Sequence, residues 1–241
     1  TGLSAAEENN FWGKLRSSEP SPDRWDHLFQ KEKSYVRKDW TLAAAGRMGV
    51  WATANTREAI WDAMKRRETY ATTGPRITLR FCGGYDFGAA DGQADRVVPA
   101  GYAKGVPMGG DLSTARAGQV PTFLIAAMKD PIGANLDRIQ IIKGWVDGAG
   151  KTQEQIYNVA WSDPDKRKLS GGKLPPVGDT VDLGTATYKN SIGAATLVGR
   201  FRDPKFDPKQ RAFYYVRVLE IPTPRWTAYD AVKYKIKMSP E

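Results

Sequence analysis

Hydrophobic and polar residues alternate in short runs from residue 75 to the end of the chain, and turns rich in Gly, Pro and Asp separate the runs. This two-residue period is typical of half-buried strands, because successive side chains point to opposite faces of a sheet. The predicted strands are residues 77–82, 122–129, 138–146, 155–162, 195–202 and 213–221, with a weaker candidate at 231–238. Successive strands without helical stretches between them predict an antiparallel β-sandwich over residues 75–241.

Residues 1–74 carry mostly helical signals instead. Ser4 and Glu7 have the spacing of a capping box, which predicts a helix over about residues 5–14. A short helix is predicted at residues 23–29, and a short buried strand at 49–52. The sequence therefore predicts an α+β protein with two parts, a mainly helical segment over residues 1–74 followed by the sandwich.

The last predicted helix of this segment begins at Asn55, which has Glu58 three residues later in a second capping pattern. Ile60, Met64 and Arg67 recur on one face of this helix, and we expect that face to turn inward. The residues Thr72, Thr73, Gly74 and Pro75 then end it. A basic helix end thus precedes a loop of Tyr, Thr and Gly, which indicates either an anion-facing loop or a solvated helix end whose cations suit the dipole.

Charge and hydropathy narrow the range of partners. The net charge is +9, from 36 Lys and Arg against 27 Asp and Glu, but no nucleic-acid-reading motif accompanies it, so we expect no nucleic-acid binding. No apolar run approaches the length of about 18 residues that a membrane span needs, so we expect no membrane insertion. The first residues lack signal-peptide features, yet localisation stays open, since a periplasmic or secreted protein could have lost an upstream signal peptide.

The scarcity of histidine and cysteine excludes several kinds of chemistry. With Cys82 as the single cysteine, no internal disulfide can form, and we expect this residue to be a small buried hydrophobe. A zinc hydrolase needs several ligands together, and a Ser-His-Asp or Cys-His system would have to use His27, the single histidine. We therefore predict no catalytic residue and no metal ligand within this chain.

Two further patterns have alternative interpretations. Residues 83–118 are rich in Gly and Asp and predict a long loop, of a length that is usually functional or mobile. The aromatic residues of the strands could form a carbohydrate platform or fill a core, and core is the more common outcome. Phe213 and Tyr215 should share one face of their strand while Tyr214 points to the other.

Several segments carry a resemblance to a known family: residues 1–14 (TGLSAAEENNFWGK), 56–81 (TREAIWDAMKRRETYATTGPRITLRF), 139–163 (IQIIKGWVDGAGKTQEQIYNVAWSD) and 213–231 (FYYVRVLEIPTPRWTAYDA). They resemble a bacterial family of unknown function, family 3604. Its members look like metal-dependent hydrolases of the PHP (polymerase and histidinol phosphatase) type, which belong to the wider amidohydrolase-like barrels.

This resemblance implies that the catalytic metal site lies outside the chain. The family places its ligands in His-x-His and Asp-x-His elements that have no counterpart here, and Thr1 looks like the residue just after the second element. The chain therefore resembles the C-terminal portion of a longer enzyme, in which residues 1–74 are the last part of a βα-barrel. We expect zinc or manganese in the full-length enzyme, no cofactor in this chain, and the missing barrel portion as its partner.

The resemblance also implies which residues could lie at the mouth of the site. Barrel enzymes build their active sites from the C-terminal ends of strands and the loops that follow. Asn9 and Asn10 would follow a metal-bearing strand end. A small-molecule substrate would then be contacted by four residues: Asn9, Asn10, Arg67 and Tyr70. For Arg67 and Tyr70 the alternative interpretation is structural, namely that they tie the helix to the first sandwich strand.

Two functions of different classes remain open from the sequence. The first is the C-terminal portion of a PHP-like hydrolase of ester or phosphoester substrates, inactive by itself because it lacks the metal ligands. The second is a β-sandwich accessory module that binds a partner or glycan and has no chemistry of its own. If residues 1–74 are the last part of a barrel, their apolar surface would be exposed, or covered by a second copy in a homo-oligomer.

Overall fold

Antiparallel β-structure predominates over three α-helices in the part of the chain that the computed structural model describes, residues 21–23, 25, 28–31, 36–38 and 46–237. The first strands are β1 (Leu28–Lys31), β2 (Val36–Lys38), β3 (Arg47–Val50), β4 (Thr69–Thr72), β5 (Thr78–Gly84) and β6 (Gly105–Pro107). The later strands are β7 (Thr122–Met128), β8 (Leu136–Val146), β9 (Thr152–Trp161), β10 (Thr196–Arg202) and β11 (Ala212–Glu220). The helices are α1 (Arg57–Lys65), α2 (Val97–Lys104) and α3 (Trp226–Tyr234).

Two antiparallel sheets share one hydrophobic core. One sheet has four strands in the order β10-β7-β5-β6, and the other has three in the order β11-β8-β9. Their facing side chains form a single buried cluster, to which the four-stranded sheet contributes Phe123 and Ile125 and the three-stranded sheet contributes Ile139 and Ile141. The alternating pattern of the sequence therefore places its apolar residues between the sheets, as predicted.

The central strand β7 is buried on both faces, so its sequence is an unbroken apolar run. Leu124, on the face opposite the shared core, packs in a second buried cluster with Cys82, Val97 and Phe87. Helix α2 supplies Val97 and covers this face of the four-stranded sheet. Cys82 is 3% exposed and burial raises the pKa of its thiol to about 11, which confirms the expected buried hydrophobe.

Strands β3 and β4 pair in antiparallel fashion, and α1 lies in the connection between them. This β3–β4 pair packs against β5. The indole nitrogen of Trp51 donates to the Leu79 carbonyl at 2.8 Å, and the Trp51 amide donates to the Glu68 carbonyl at 3.1 Å. Tyr70 lies across Gly49, where an added Cβ would come within 2.3 Å of the phenol ring. Glycine at position 49 thus lets the tyrosine ring lie flat on the β3–β4 pair.

Helix α1 differs from its prediction at both ends. Its N-cap is Thr56, whose hydroxyl accepts from the Ala59 amide at 3.3 Å, and Asn55 lies one residue outside. The helix ends at Lys65, because Arg67 adopts a left-handed backbone with φ of 63°. Thr72, predicted with residues 73–75 to end the helix, is instead the last residue of β4, whose backbone groups pair with β3.

The mainly helical character predicted for residues 1–74 is not what the described residues in that range show, because they form four short strands and a single α-helix. The helices predicted at 5–14 and 23–29, and the residues Asn9, Asn10 and His27, lie outside the described residues or largely so. The predicted βα-barrel remnant therefore stays a hypothesis.

Two predictions beyond residue 75 were wrong. The weak strand at 231–238 is replaced by α3, in which Trp226, Asp230 and Lys233 recur at helical spacing and Asp230 is 2% exposed. The predicted long loop at 83–118 contains α2 and β6. Helix α2 gave no amphipathic pattern because its sequence, VVPAGYAK, is almost wholly apolar and packs into the second buried cluster.

Candidate functional site

The charged groups nearest to the predicted substrate-binding residues converge on the carboxylate of Glu68. This side chain is 5% exposed and accepts a hydrogen bond from the Arg66 guanidinium at 3.3 Å. The Arg80 guanidinium lies 3.6 Å from its other oxygen, to which the Tyr102 hydroxyl also donates. A buried carboxylate must be paired, and two guanidinium groups and a phenol meet that need here.

Arg80 links this carboxylate to Trp51, the residue directly after β3. Its guanidinium carbon lies 3.3 Å from the centroid of the Trp51 ring, close enough for a cation–π contact. The Arg80 Nη1 group also donates a hydrogen bond to the Tyr102 hydroxyl oxygen at 3.0 Å. Burial raises the pKa of Tyr102, and its hydrogen bond to Glu68 raises it further, so the phenol remains a donor. We call Trp51, Arg66, Glu68, Arg80 and Tyr102 the Glu68 cluster.

Tyr70 borders the Glu68 cluster through its ring, which packs near Trp51. Its ring centroid lies 6.3 Å from that of Trp51. Burial raises the pKa of its phenol, and the Leu79 backbone and the Arg80 charge lower it in part. Tyr70 is thus a half-buried residue packed between the β3–β4 pair and β5, and it keeps its proton at neutral pH.

Arg67 points away from the Glu68 cluster. Its guanidinium donates to the Asp111 carboxylate at 3.1 Å, and both side chains are largely exposed, at 65% and 87%. The Arg67 carbonyl packs against Gly109, where a Cβ would come within 2.2 Å of that oxygen. Because Arg67 follows the end of α1, the helical periodicity that placed it on the face of Ile60 and Met64 does not extend to it.

Of the four predicted substrate-binding residues, Arg67 and Tyr70 lie in the described part of the chain, and the structure places them apart. It brings together other residues, which the sequence did not indicate. Glu68, Arg80, Trp51 and Tyr102 form the cluster, whereas Arg67 and Tyr70 lie beside it. Glu68 lies within the motif that follows α1, but its two-residue spacing from Arg66 gives no helical signal. Arg80 occupies a polar position of an alternating strand, which is typical of a solvent-facing residue. Tyr102 belongs to a helix that the sequence did not reveal.

The Glu68 cluster is an array of charged and polar groups joined by ion pairs and hydrogen bonds. The cluster carries two guanidinium groups against one carboxylate, and Lys65 in the last turn of α1 adds a further positive charge, whereas the charge of Arg67 is paired with Asp111. An anionic group is what such an edge would attract. Among the described residues, no three His, Cys, Asp or Glu side chains are grouped so that they could hold a metal ion.

The chain belongs to a protein family of unknown function, DUF3604, whose model matches residues 1–241. No curated protein and no solved structure matches the chain significantly. None of the helices in the described part of the chain is both long enough and apolar enough to cross a bilayer.

Proposed function

We propose that the chain is the non-catalytic portion of a metal-dependent hydrolase of ester or phosphoester substrates, and that its cationic edge at the end of α1 helps to bind an anionic substrate group. The proposal rests on the resemblance of residues 56–81, 139–163 and 213–231 to PHP-type enzymes. In such an enzyme the zinc or manganese ligands belong to the missing barrel portion, and this chain alone is inactive.

One structural observation supports the proposal, an exposed apolar surface on α1. Trp61 and Met64 are neighbours on the surface of α1 and remain 64% and 42% exposed. Large apolar side chains exposed together mark a surface on which another part of a protein packs. Trp61 and Met64 come directly before the basic residues Lys65, Arg66 and Arg67 in the chain. A barrel portion packed on Trp61 and Met64 would therefore bring the mouth of its active site close to these cations.

The test uses the full-length polypeptide that contains this chain, with kcat/KM and melting temperature measured together. Arg67→Ala should lower kcat/KM by about ten- to a hundred-fold, as expected for one lost charge-assisted contact. Its melting temperature should hardly change, because an exposed ion pair contributes little stability. The isolated 241-residue chain should show no hydrolase activity with either metal.

Asp111→Asn is the matched control, since it breaks the same ion pair but leaves the guanidinium in place. If Asp111→Asn lowers kcat/KM as much as Arg67→Ala does, the pair is a structural tie and the substrate role is wrong. Hydrolysis by the isolated chain would overturn the assignment of a non-catalytic portion.

The alternative, an accessory module without chemistry, is favoured by a different observation, the exposed aromatic residues of β11. That surface leads to a separate inference, which does not depend on the hydrolase proposal.

A further inference from the structure

The outward face of the three-stranded sheet carries an exposed row of alternating residues along one edge. Arg211, Phe213, Tyr215 and Arg217 follow the two-residue period of β11, and all four are exposed, Phe213 at 62% and Tyr215 at 44%. Tyr214, between them, points inward to the shared core, as its neighbours' exposure requires. We call these four residues the β11 row.

The two rings of the β11 row are held in a defined orientation. Their planes are within 15° of parallel, and their centroids are 6.3 Å apart. Phe213 extends across the neighbouring strand over Gly144, where an added Cβ would come within 2.3 Å of the ring. Ile142, opposite Tyr215 on β8, is only 1% exposed. The rings are thus supported from below although they remain open to solvent.

A groove of about 550 Å³ begins at the Phe213 end of the row. Its lining combines the Phe213 ring with Gln153, Glu154 and Arg211, which supply both hydrogen-bond donors and acceptors. Within the described part of the chain, no residue forms a hydrogen bond or an ion pair with the Arg211 guanidinium. The groove therefore offers an apolar floor and polar walls that include one unpaired cation, Arg211, and one carboxylate, Glu154.

The other end of the row is polar and ordered. The Arg217 Nε donates to the Gln140 side-chain oxygen at 3.0 Å, and the Gln140 amide nitrogen donates to Asn158 at 2.9 Å. This chain of hydrogen bonds fixes the Arg217 guanidinium beside Tyr215. The β11 row thus places two aromatic rings between two cations over roughly 20 Å of extended strand.

We propose that the β11 row and its groove bind an anionic oligosaccharide, one that carries carboxylate or sulfate groups. Sugar rings present C–H groups on their faces, which pack on exposed aromatic rings, while their hydroxyls form hydrogen bonds to amide and carboxylate side chains. Guanidinium groups at both ends match acidic groups along such a chain.

The same charges disfavour self-association through this face. In a symmetric dimer the row would pack against its own copy, which would bring guanidinium groups of the two chains together. A neutral apolar partner would leave Arg211 and Arg217 desolvated without a counter-charge, at a cost in free energy. An anionic chain with apolar ring faces satisfies both kinds of side chain at once.

The test is isothermal titration of the 241-residue chain with three hexasaccharide probes of similar length: oligogalacturonate for carboxylates, a heparin fragment for sulfates, and cellohexaose as a neutral control. We expect one of the acidic probes to bind at least about tenfold more tightly than cellohexaose, and the preferred probe distinguishes carboxylate from sulfate recognition. Raising the salt concentration should weaken this binding.

Variants then locate the site. Phe213→Ala and Tyr215→Ala should each weaken binding by about tenfold, and the double variant Arg211→Gln/Arg217→Gln should remove most of its salt dependence. Trp61→Ala and Arg116→Gln, which change an exposed ring and an exposed cation elsewhere, should leave the affinity unchanged. Circular dichroism should be unaltered in all variants, because the changed side chains are exposed.

Three results would overturn the inference. They are the absence of binding to both acidic probes at millimolar concentration, equal losses in the control variants, and a dimer in light scattering that Phe213→Ala converts to a monomer. The last result would identify the β11 row as an interface between copies.

Discussion

Glu220, at the end of β11, has a buried carboxyl oxygen with no hydrogen-bond partner among the residues that the structure describes. Burial and, to a smaller extent, the nearby Asp130 charge raise the pKa of this carboxyl to about 7, although the Lys129 charge opposes both. An unpaired carboxylate in such a place disfavours the folded state, and a neutral carboxyl is tolerated there.

The sign of the pH dependence follows from this raised pKa. Below the ordinary pKa of about 4.5, Glu220 is protonated in both the folded and unfolded states. As the pH rises from there through about 7, the unfolded state loses its proton first, so Glu220 progressively destabilises the fold. Glu220→Gln should therefore raise the melting temperature at pH 8 and change it little at pH 4.5.

Thermal unfolding of wild type and variant over this pH range measures the difference. Glu154→Gln removes an exposed carboxylate of the same length and is the control, whose pH profile should follow the wild type. A Glu220→Gln effect that is independent of pH would mean that packing, and not protonation, explains it.

At the scale of elements, a buried ion pair joins the two sheets. The Lys143 ammonium on β8 donates to the Asp203 carboxylate at 2.7 Å, and the two side chains are 3% and 0% exposed. Asp203 follows β10, and the Tyr214 hydroxyl on β11 also donates to it at 2.6 Å. Lys143 completes its bonds at the Lys205 carbonyl, 2.7 Å away. Strands of both sheets thus meet at one carboxylate.

Removing one partner of this pair should be costly. Lys143→Met leaves the Asp203 carboxylate buried without its counter-charge, which we expect to lower the free energy of unfolding by roughly 3–5 kcal/mol. Chemical denaturation followed by circular dichroism measures the loss. Lys151→Met changes an exposed lysine and should cost little.

The double variant Lys143→Met/Asp203→Asn tests whether the charge is the cause. It should recover part of the stability, since no unpaired charge remains and the Tyr214 hydroxyl can still donate to the amide oxygen. A double variant less stable than Lys143→Met would mean that the carboxylate itself holds the strands.

At the scale of the whole molecule, β7 unites the two buried clusters. Ile125 faces the core between the sheets, Leu124 faces the cluster under α2, and both are fully buried. Because successive residues of one strand support both clusters, neither should unfold separately.

Ile125→Ala and Leu124→Ala should each lower the free energy of unfolding by roughly 2–5 kcal/mol, the range for deleting a buried aliphatic side chain. Each variant should keep a single transition when followed by both tryptophan fluorescence and far-UV circular dichroism. Two separate transitions in either variant would show that the clusters are independent units.

The sequence predicted all strands of the two sheets except β6, because burial of one or both faces leaves a local pattern in the sequence. In β5 and β7–β11, alternation or an apolar run bounded by turn residues indicates burial directly, and the predicted limits agree with the structure to within a few residues. The orientation of Phe213, Tyr214 and Tyr215 followed from the period of the strand alone. Helix α1 was likewise predicted, although its cap lies one residue later than expected and the helix ends earlier, at Lys65.

The candidate site was predictable only in part, since its residues meet through long-range packing. Arg80 and Tyr102 reach Glu68 across 12 and 34 positions of the chain, and no local spacing encodes such contacts. The left-handed backbone of Arg67 gave no sequence signal, and it turns the side chain toward Asp111.

The sequence by itself predicted β5 and β7–β11, and it predicted which residues of β11 share a face. Only the tertiary structure decided that α2 lies within a predicted loop, that residues 226–234 form a helix, and that Glu68 gathers two arginines and a tyrosine. The reason is physical: periodicity records the burial of a segment against any apolar surface, whereas hydrogen bonds and ion pairs between distant residues depend on which surfaces meet.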